Sequence, residues 1–209
     1  MEKSKAIIVG GPVAVGKSTL VGGLPFNAVQ ELDPNDELQR ITLQKMYEGD
    51  KIAAQIFQLD MILTRMDKYR KFSKEKIRSV YDRFIFEDYF FAEKLLSDNE
   101  HAWNYYKNIW NDLVDEIINK IGKPEIYIIL TCSWENFKKR ILLRNRPSEI
   151  EQFKNNPEQF KEIFMDYDLK LSKKLEKYDI DYLIINTDDV EPLELLEKVK
   201  IILAEKGIK

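Results

Sequence analysis

The sequence predicts an α/β fold, a five-stranded parallel sheet with helices on both faces. Three observations predict it. Five short apolar segments alternate along the chain with longer helical ones. The apolar segments are continuous runs, as strands buried on both faces require. No internal repeat, low-complexity tract or linker rich in Pro, Gly or Ser interrupts the alternation, so the 209 residues read as one domain.

Each element has its own warrant. Lys5–Gly10 (KAIIVG) is an apolar run ending in glycine and predicts the first strand. Gly11–Ser18 is a loop, and Thr19 opens a short helix. Ala28–Glu31 predicts a second strand, followed by a Pro34-Asn35-Asp36 loop. Glu37–Glu48 and Asp50–Phe72 read as helices. In the second, Ile52, Ile56, Leu59, Leu63, Met66 and Tyr69 keep helical spacing. Arg78–Tyr81 is a strand that ends at Asp82-Arg83. Glu87–Leu96 and Ala102–Ile121 are helices. The latter carries a broad apolar stripe through Tyr105, Tyr106, Ile109, Trp110, Leu113 and Ile117. Ile126–Cys132 (IYIILTC) is the clearest strand, and Trp134–Leu143 is a helix bearing Lys138, Lys139 and Arg140. Arg144–Asn156 is polar and loop-like. Pro157–Tyr178 reads as a helix, Tyr182–Asn186 as the last strand and Pro192–Lys206 as a closing helix.

Composition excludes several functions. With 44% hydrophobic and 11% aromatic residues the chain is not a disordered one. A formal charge of −3 argues against a protein that coats nucleic acid. No apolar run approaches the roughly 20 residues that span a bilayer, and Met1–Lys5 runs straight into a strand without a signal peptide. The single cysteine, Cys132, excludes an intrachain disulfide and fits a reducing cytoplasm. The single histidine, His101, excludes His-based zinc sites, and a Ser-His-Asp triad could use only this residue, which lies in a polar stretch with no nucleophile motif nearby. Carboxylates, lysines, arginines and an oxygen-bound metal remain for chemistry.

The sharpest motif is Gly11-Pro12-Val13-Ala14-Val15-Gly16-Lys17-Ser18, followed by Thr19. It fits G-x-x-x-x-G-K-[ST], with a strand before it and a helix after it. Glycine permits the backbone to wrap a phosphate with its N–H groups turned inward. The helix N-terminus adds partial positive charge. Lys17 reaches the β and γ phosphates, and the Ser18 hydroxyl suits Mg²⁺. The chain therefore reads as a P-loop nucleotide-binding protein with a three-layer NTPase-type fold, and ATP or another nucleoside triphosphate is the expected phosphoryl donor. The late strand ends Ile185-Asn186-Thr187-Asp188-Asp189, without the lysine of the guanine-reading N-K-x-D. A chain of this size with these features points to a small-molecule kinase. Arg78-Ser79-Val80-Tyr81-Asp82-Arg83 brings an acid and an arginine to the end of a strand that faces the phosphate loop. Asp82 suits the metal. Arg83 suits the acceptor or the group in transfer.

From this point the chain resembles the deoxynucleoside kinases, the family of deoxycytidine, deoxyguanosine and deoxyadenosine kinases. Asp82-Arg83-Phe84-Ile85-Phe86-Glu87-Asp88, with Phe90-Phe91-Ala92 after it, resembles the family's D/E-R-S region, although Phe84 stands where a serine is usual. Met46-Tyr47-Glu48, Phe57-Gln58 and Arg65 resemble its "YE…FQ…R" helix. Gln58 and Arg65 share one helix face, about 10 Å apart. Lys139-Arg140-Ile141-Leu142-Leu143-Arg144-Asn145-Arg146 resembles its arginine lid, which here would span about 140–156. Asp166-Tyr167-Asp168 resembles its Y-E region.

The resemblance implies roles. Gln58 reads the base edge, Arg65 and Asp88 help select the base, and Phe57 and Phe91 border it. Tyr47 and Asp168 hold the sugar 3′-hydroxyl. Glu31, by residue type alone a surface acid, becomes the base for the 5′-hydroxyl, with Asp33 as its fallback. Arg83 and the lid arginines Arg140, Arg144 and Arg146 stabilise the group in flight. The resemblance implies a cytoplasmic, Mg²⁺- and ATP-dependent deoxynucleoside kinase and a homodimer. Its acceptor carries a purine or cytosine base, with deoxyadenosine or deoxyguanosine favoured. A nucleoside monophosphate kinase and a non-catalytic ATP-binding regulator stay open. The first would need cations near Glu31, and there are none between Gly22 and Arg40.

Overall fold

The computed structural model describes residues 3–33, 35–144 and 147–208. Five parallel strands form one sheet: β1 (Ala6–Gly10), β2 (Asn27–Val29), β3 (Ser79–Asp82), β4 (Ile126–Thr131) and β5 (Tyr182–Asn186). Their order is β2-β3-β1-β4-β5. Val9 pairs with Asp82, Val29 with Tyr81 and Gly10 with Ile129. The carboxyl ends of β2, β3 and β1 thus emerge side by side.

Side-chain alternation on the pleat builds two apolar layers. Ile8, Tyr81, Tyr127 and Ile129 face one side, where Tyr69, Phe84, Phe86 and Trp110 cover them. Ile7, Val9, Val80 and Ile128 face the other, under Leu20, Phe137 and Val199. Each such aliphatic chain contributes about 1.5–3 kcal/mol on full burial.

The helices are α1 (Lys17–Gly23), α2 (Glu37–Tyr47), α3 (Lys51–Lys74), α4 (Ile85–Leu96), α5 (Glu100–Glu116), α6 (Trp134–Leu143), α7 (Pro147–Asn155), α8 (Pro157–Phe164), α9 (Tyr167–Lys177) and α10 (Pro192–Glu205). Several of their starts are capped by side chains. Asp36 accepts from the Gln39 N–H, Asp50 from Ile52 and Ala53, and Ser133 from Asn136.

Four expectations need correction. The second strand ends at Val29, so Glu31 lies in the loop beyond it. The segment read as a loop over Arg144–Asn156 contains α7, and its apolar Phe153 packs on Phe137 with ring centres 5.9 Å apart. The long helix expected over Pro157–Tyr178 is two helices, because Asp166 turns the backbone into the left-handed region at φ 57°. On α3 the apolar stripe is offset. Met66 and Tyr69 are buried, but Ile52, Ile56 and Leu63 face outward at 69, 43 and 44% exposure. Gln58 and Arg65 take the covered face instead, in a cavity that polar ligand groups suit.

Candidate active site

The phosphate loop joins β1 to α1. Its tight wrap uses left-handed backbone at Ala14 (φ 64°) and Gly16 (φ 99°). At Gly11 a Cβ would lie 2.3 Å from the Leu130 carbonyl oxygen, so only glycine fits. Lys17 is buried, and its Nζ donates to the Pro12 carbonyl oxygen at 2.6 Å. Burial lowers its amine to about 8, helped by nearby Arg83 and opposed by Asp82, Glu31 and Glu87. The Ser18 hydroxyl donates to Asp82 Oδ2 at 2.5 Å. Asp82 Oδ1 is buried without a hydrogen-bond partner. An all-oxygen pair with one carboxylate oxygen left over fits Mg²⁺.

Arg83 follows β3 in left-handed backbone, φ 69°. That turn aims its buried guanidinium across the sheet ends. Its Nε is 2.9 Å from Glu31 Oε1, and its guanidinium carbon is 4.7 Å from the centre of the Phe91 ring. Burial opposes its charge, but Glu31, Glu87 and Asp82 outweigh burial and raise its pKa. Glu31 is the more open partner, at 31% side-chain exposure.

Beyond this pair lies the polar floor of the pocket. Arg65 Nε is 2.8 Å from Asp88 Oδ2, and both side chains are buried. Arg65 also donates to the Asp82 carbonyl oxygen at 2.9 Å and stands 3.7 Å from Glu31. Burial pushes the Asp88 carboxyl up to about 6, against the pull of Arg65.

A single cavity of about 790 Å³ connects these parts. It runs from the loop (Pro12, Val13, Ala14, Gly16, Lys17, Ser18 and Thr19) past Glu31 and Arg83 to Tyr47, Phe57, Gln58, Arg65, Asp88 and Phe91. Arg140 and Arg144 line it as well. Gly11 and Val15 stand behind it: Gly11 gives its N–H to Glu87, and Val15 is a core residue. Asp82 reaches it through Ser18.

The lid arginines Arg140 and Arg144 line the cavity and also hold partners within the chain. Arg140 is turned to the end of β5, bonding the Thr187 hydroxyl and carbonyl at 2.8 and 2.6 Å. Arg144 pairs with Glu149 at 3.1 Å. Arg146 lies outside the described residues. Asp168 is not among the cavity residues. The break at Asp166 puts it in the first turn of α9, where its carboxylate accepts from the Leu169 N–H. Glu149, buried on α7, lines the cavity together with Tyr47. The neighbouring Gln152 donates to the Tyr47 carbonyl oxygen.

Sequence reasoning missed Glu149 because a polar run hid α7. The spacing of Ile150 and Phe153 was its one helical cue. It also missed Glu87, a fully buried carboxylate whose only cue was its place four residues after Arg83.

The chain has recognisable relatives. A family profile described as deoxynucleoside kinase matches residues 7–203. An uncharacterised protein of Mycoplasma pneumoniae is 35% identical over 207 residues, spanning 94% of this chain and 90% of that one. A deoxyadenosine kinase of Dictyostelium discoideum is 27% identical over 143 residues, 68% of this chain and 58% of that one. Among solved structures, the deoxyadenosine kinase from M. mycoides with bound dATP superposes with a TM-score of 0.67 at 21% identity, over 95% of this chain and 98% of that one.

Proposed function

The chain belongs to the deoxynucleoside kinase family, and from that premise we propose that it transfers the γ-phosphoryl group of ATP to the 5′-hydroxyl of a deoxynucleoside. The observation that carries the reading is the one continuous cavity, with a phosphate loop at one end and Gln58, Arg65 and Asp88 at the other. The carboxylate–arginine pair Glu31–Arg83 lies between them.

The donor triphosphate lies in the loop, with Lys17 and the backbone N–H groups on its oxygens. Ser18 and Asp82 would hold Mg²⁺, which when bound neutralises charge on the β and γ phosphate oxygens. Glu31 accepts the 5′-hydroxyl proton as the new O–P bond forms. The bond from the γ phosphorus to the bridging oxygen breaks, and ADP leaves. Arg83 is close enough to Glu31 to hold both that carboxylate and the phosphoryl group in flight. Arg144 would close over the donor when it leaves Glu149.

On the acceptor side, the donor and acceptor atoms of the Gln58 amide match an adenine or cytosine edge. The Asp88 carboxylate accepts from the exocyclic amine. Deoxyadenosine is the proposed first acceptor, supported by the deoxyadenosine kinases among the relatives. The sugar end faces Tyr47 and Glu149. The outward-facing Ile52, Ile56 and Leu63 on α3 and Tyr105 on α5 support a homodimer built on these helices. Among the described residues no helix is long and apolar enough to cross a membrane, and a cytoplasmic salvage role accompanies the proposal.

The test is a radiolabelled transfer screen with ATP, Mg²⁺, the four deoxynucleosides and their monophosphates, with Glu31→Ala as control. Transfer to deoxyadenosine that the control loses supports the proposal. Transfer only to monophosphates replaces it with a monophosphate kinase. ATP binding without transfer replaces it with a regulatory role.

A further inference from the structure

Glu87 is the most deeply buried carboxylate near the site, at 0% exposure, yet it does not line the cavity. A charge there persists only if donors surround it. Three do. The Gly11 N–H reaches Oε1 at 2.9 Å, the Tyr167 hydroxyl reaches Oε1 at 2.6 Å and the Tyr127 hydroxyl reaches Oε2 at 2.6 Å. Burial and the charge of Glu87 push both phenols well above their ordinary range, so both remain donors at any working pH.

The two tyrosines differ in what lies beyond them. Tyr167, while donating its O–H to Glu87, accepts from Arg83 Nη1 at 3.1 Å. The same Nη1 is 3.8 Å from Glu87 Oε1. Oε1 therefore joins the first residue of the phosphate loop to the arginine that pairs with Glu31. Oε2 meets Tyr127, a β4 strand residue with no bond to Arg83. Backbone is pressed on the same group, since a Cβ on Gly10 would lie 2.7 Å from Glu87 Oε2.

We infer that Glu87 is a positioning residue, which fixes the Arg83 guanidinium against the start of the phosphate loop through Oε1 and Tyr167. The inference rests on the kinase reading for its kinetic consequence. Glu87 touches no reacting atom. Its charge and the Tyr167 hydroxyl keep Arg83 from collapsing wholly onto Glu31, so that the arginine is shared between base and phosphoryl group.

Three variants test this. Glu87→Gln keeps the volume and a hydrogen-bonding oxygen but removes the charge. Tyr167→Phe removes the link to Arg83. Tyr127→Phe removes a buried hydrogen bond of equal length that leads elsewhere. Expected are falls in kcat of about tenfold or more for Glu87→Gln and Tyr167→Phe, with KM for ATP and deoxyadenosine within about threefold. Tyr127→Phe should keep kcat within about threefold while losing as much resistance to urea as Tyr167→Phe. Equal losses of kcat for the two tyrosine variants would overturn the inference and leave Glu87 a packing residue.

A second readout needs no turnover. In the ligand-free chain the Arg83 Nη1–H resonance, assigned by its loss in Arg83→Lys, should exchange slowly in the wild type and in Tyr127→Phe. It should exchange fast in Glu87→Gln and Tyr167→Phe. That pattern without any phosphoryl transfer would sink the kinase reading and keep the positioning. Transfer with slow exchange in all four proteins would do the reverse.

Discussion

Arg65 and Asp88 meet at 2.8 Å with both side chains 6% exposed, an ion pair enclosed between α3 and α4. Without Asp88, Arg65 keeps only the Asp82 carbonyl and a more distant Glu31. Breaking a buried pair from one side strands the other charge, so Asp88→Ala should cost about 3–5 kcal/mol in urea unfolding. Arg65→Met combined with Asp88→Ala should recover at least half of that. A double variant as unstable as the single one would contradict the account.

The same carboxylate gives a pH signature. Its folded pKa of about 6 lies above the ordinary value of 3.8. Between those values the folded chain holds the proton more tightly than the unfolded chain. The contribution of Asp88 to stability is therefore greatest near pH 4, declines as the pH rises to about 6, and is flat above. Melting of the wild type against Asp88→Asn across that window reads it directly. Acceptor binding should run the other way. If the ionised Asp88 receives the exocyclic amine, KM for deoxyadenosine rises as pH falls below about 6.

Lys17 has the opposite sign. Its folded value near 8 lies below the ordinary 10.5, so its burial as an ammonium costs stability at neutral pH. That cost is relieved as the pH rises from about 8 to 10.5. Ligand-free Lys17→Met should be more stable than the wild type at pH 7 by roughly 1–3 kcal/mol, since each tenfold loss of proton affinity corresponds to about 1.4 kcal/mol. The gain should vanish towards pH 10.5, and the variant should transfer nothing. Loss of stability at pH 7 would show that the bond to Pro12 outweighs desolvation.

Glu31 is the proposed base and contributes little to packing at 31% exposure. Glu31→Gln should lower kcat by about 10²–10⁴ and leave KM for ATP nearly unchanged. Activity within about threefold of the wild type would move the base elsewhere, with Asp33 on the same loop the next candidate.

Ile56 and Leu63 occupy one outward face of α3. Replacing both with Glu should leave the melting temperature of the isolated subunit little changed, since neither is in the core. In sedimentation the mass should fall from about twice 24.8 kDa to that of one chain. A wild type that already sediments as one chain would remove the dimer proposal.

The sheet was legible because its strands are continuous apolar runs, and β4 and β5 could be placed to within a residue. The phosphate loop was legible because its chemistry constrains consecutive residues. The parts that misled are those where burial and polarity part company. Gln58, Arg65, Glu87 and Asp88 are buried polar residues, which a hydrophobicity count assigns to water, so α3 was read from the wrong stripe. Glu149 was hidden in a polar segment whose helix depends on packing against α6. Asp168 was misplaced because nothing in residues 165–167 announces a left-handed turn at an aspartate.

Aromatic rings form the seam along which α7 and α8 meet α6. Trp134 stacks on Phe137 at 4.8 Å, Phe164 lies 4.9 Å from Phe137, and Phe153 meets Phe160 edge-on at 5.5 Å. Swinging α7 and α8 off α6 would wet these rings, and wetting apolar surface raises heat capacity. Separation of α7 and α8 from α6 would therefore be a calorimetric event as well as a geometric one. The enthalpy of donor binding should become steadily more negative with temperature if the donor binds to the open form and closes it. Cooling, which weakens the hydrophobic hold on the seam, should favour that separation.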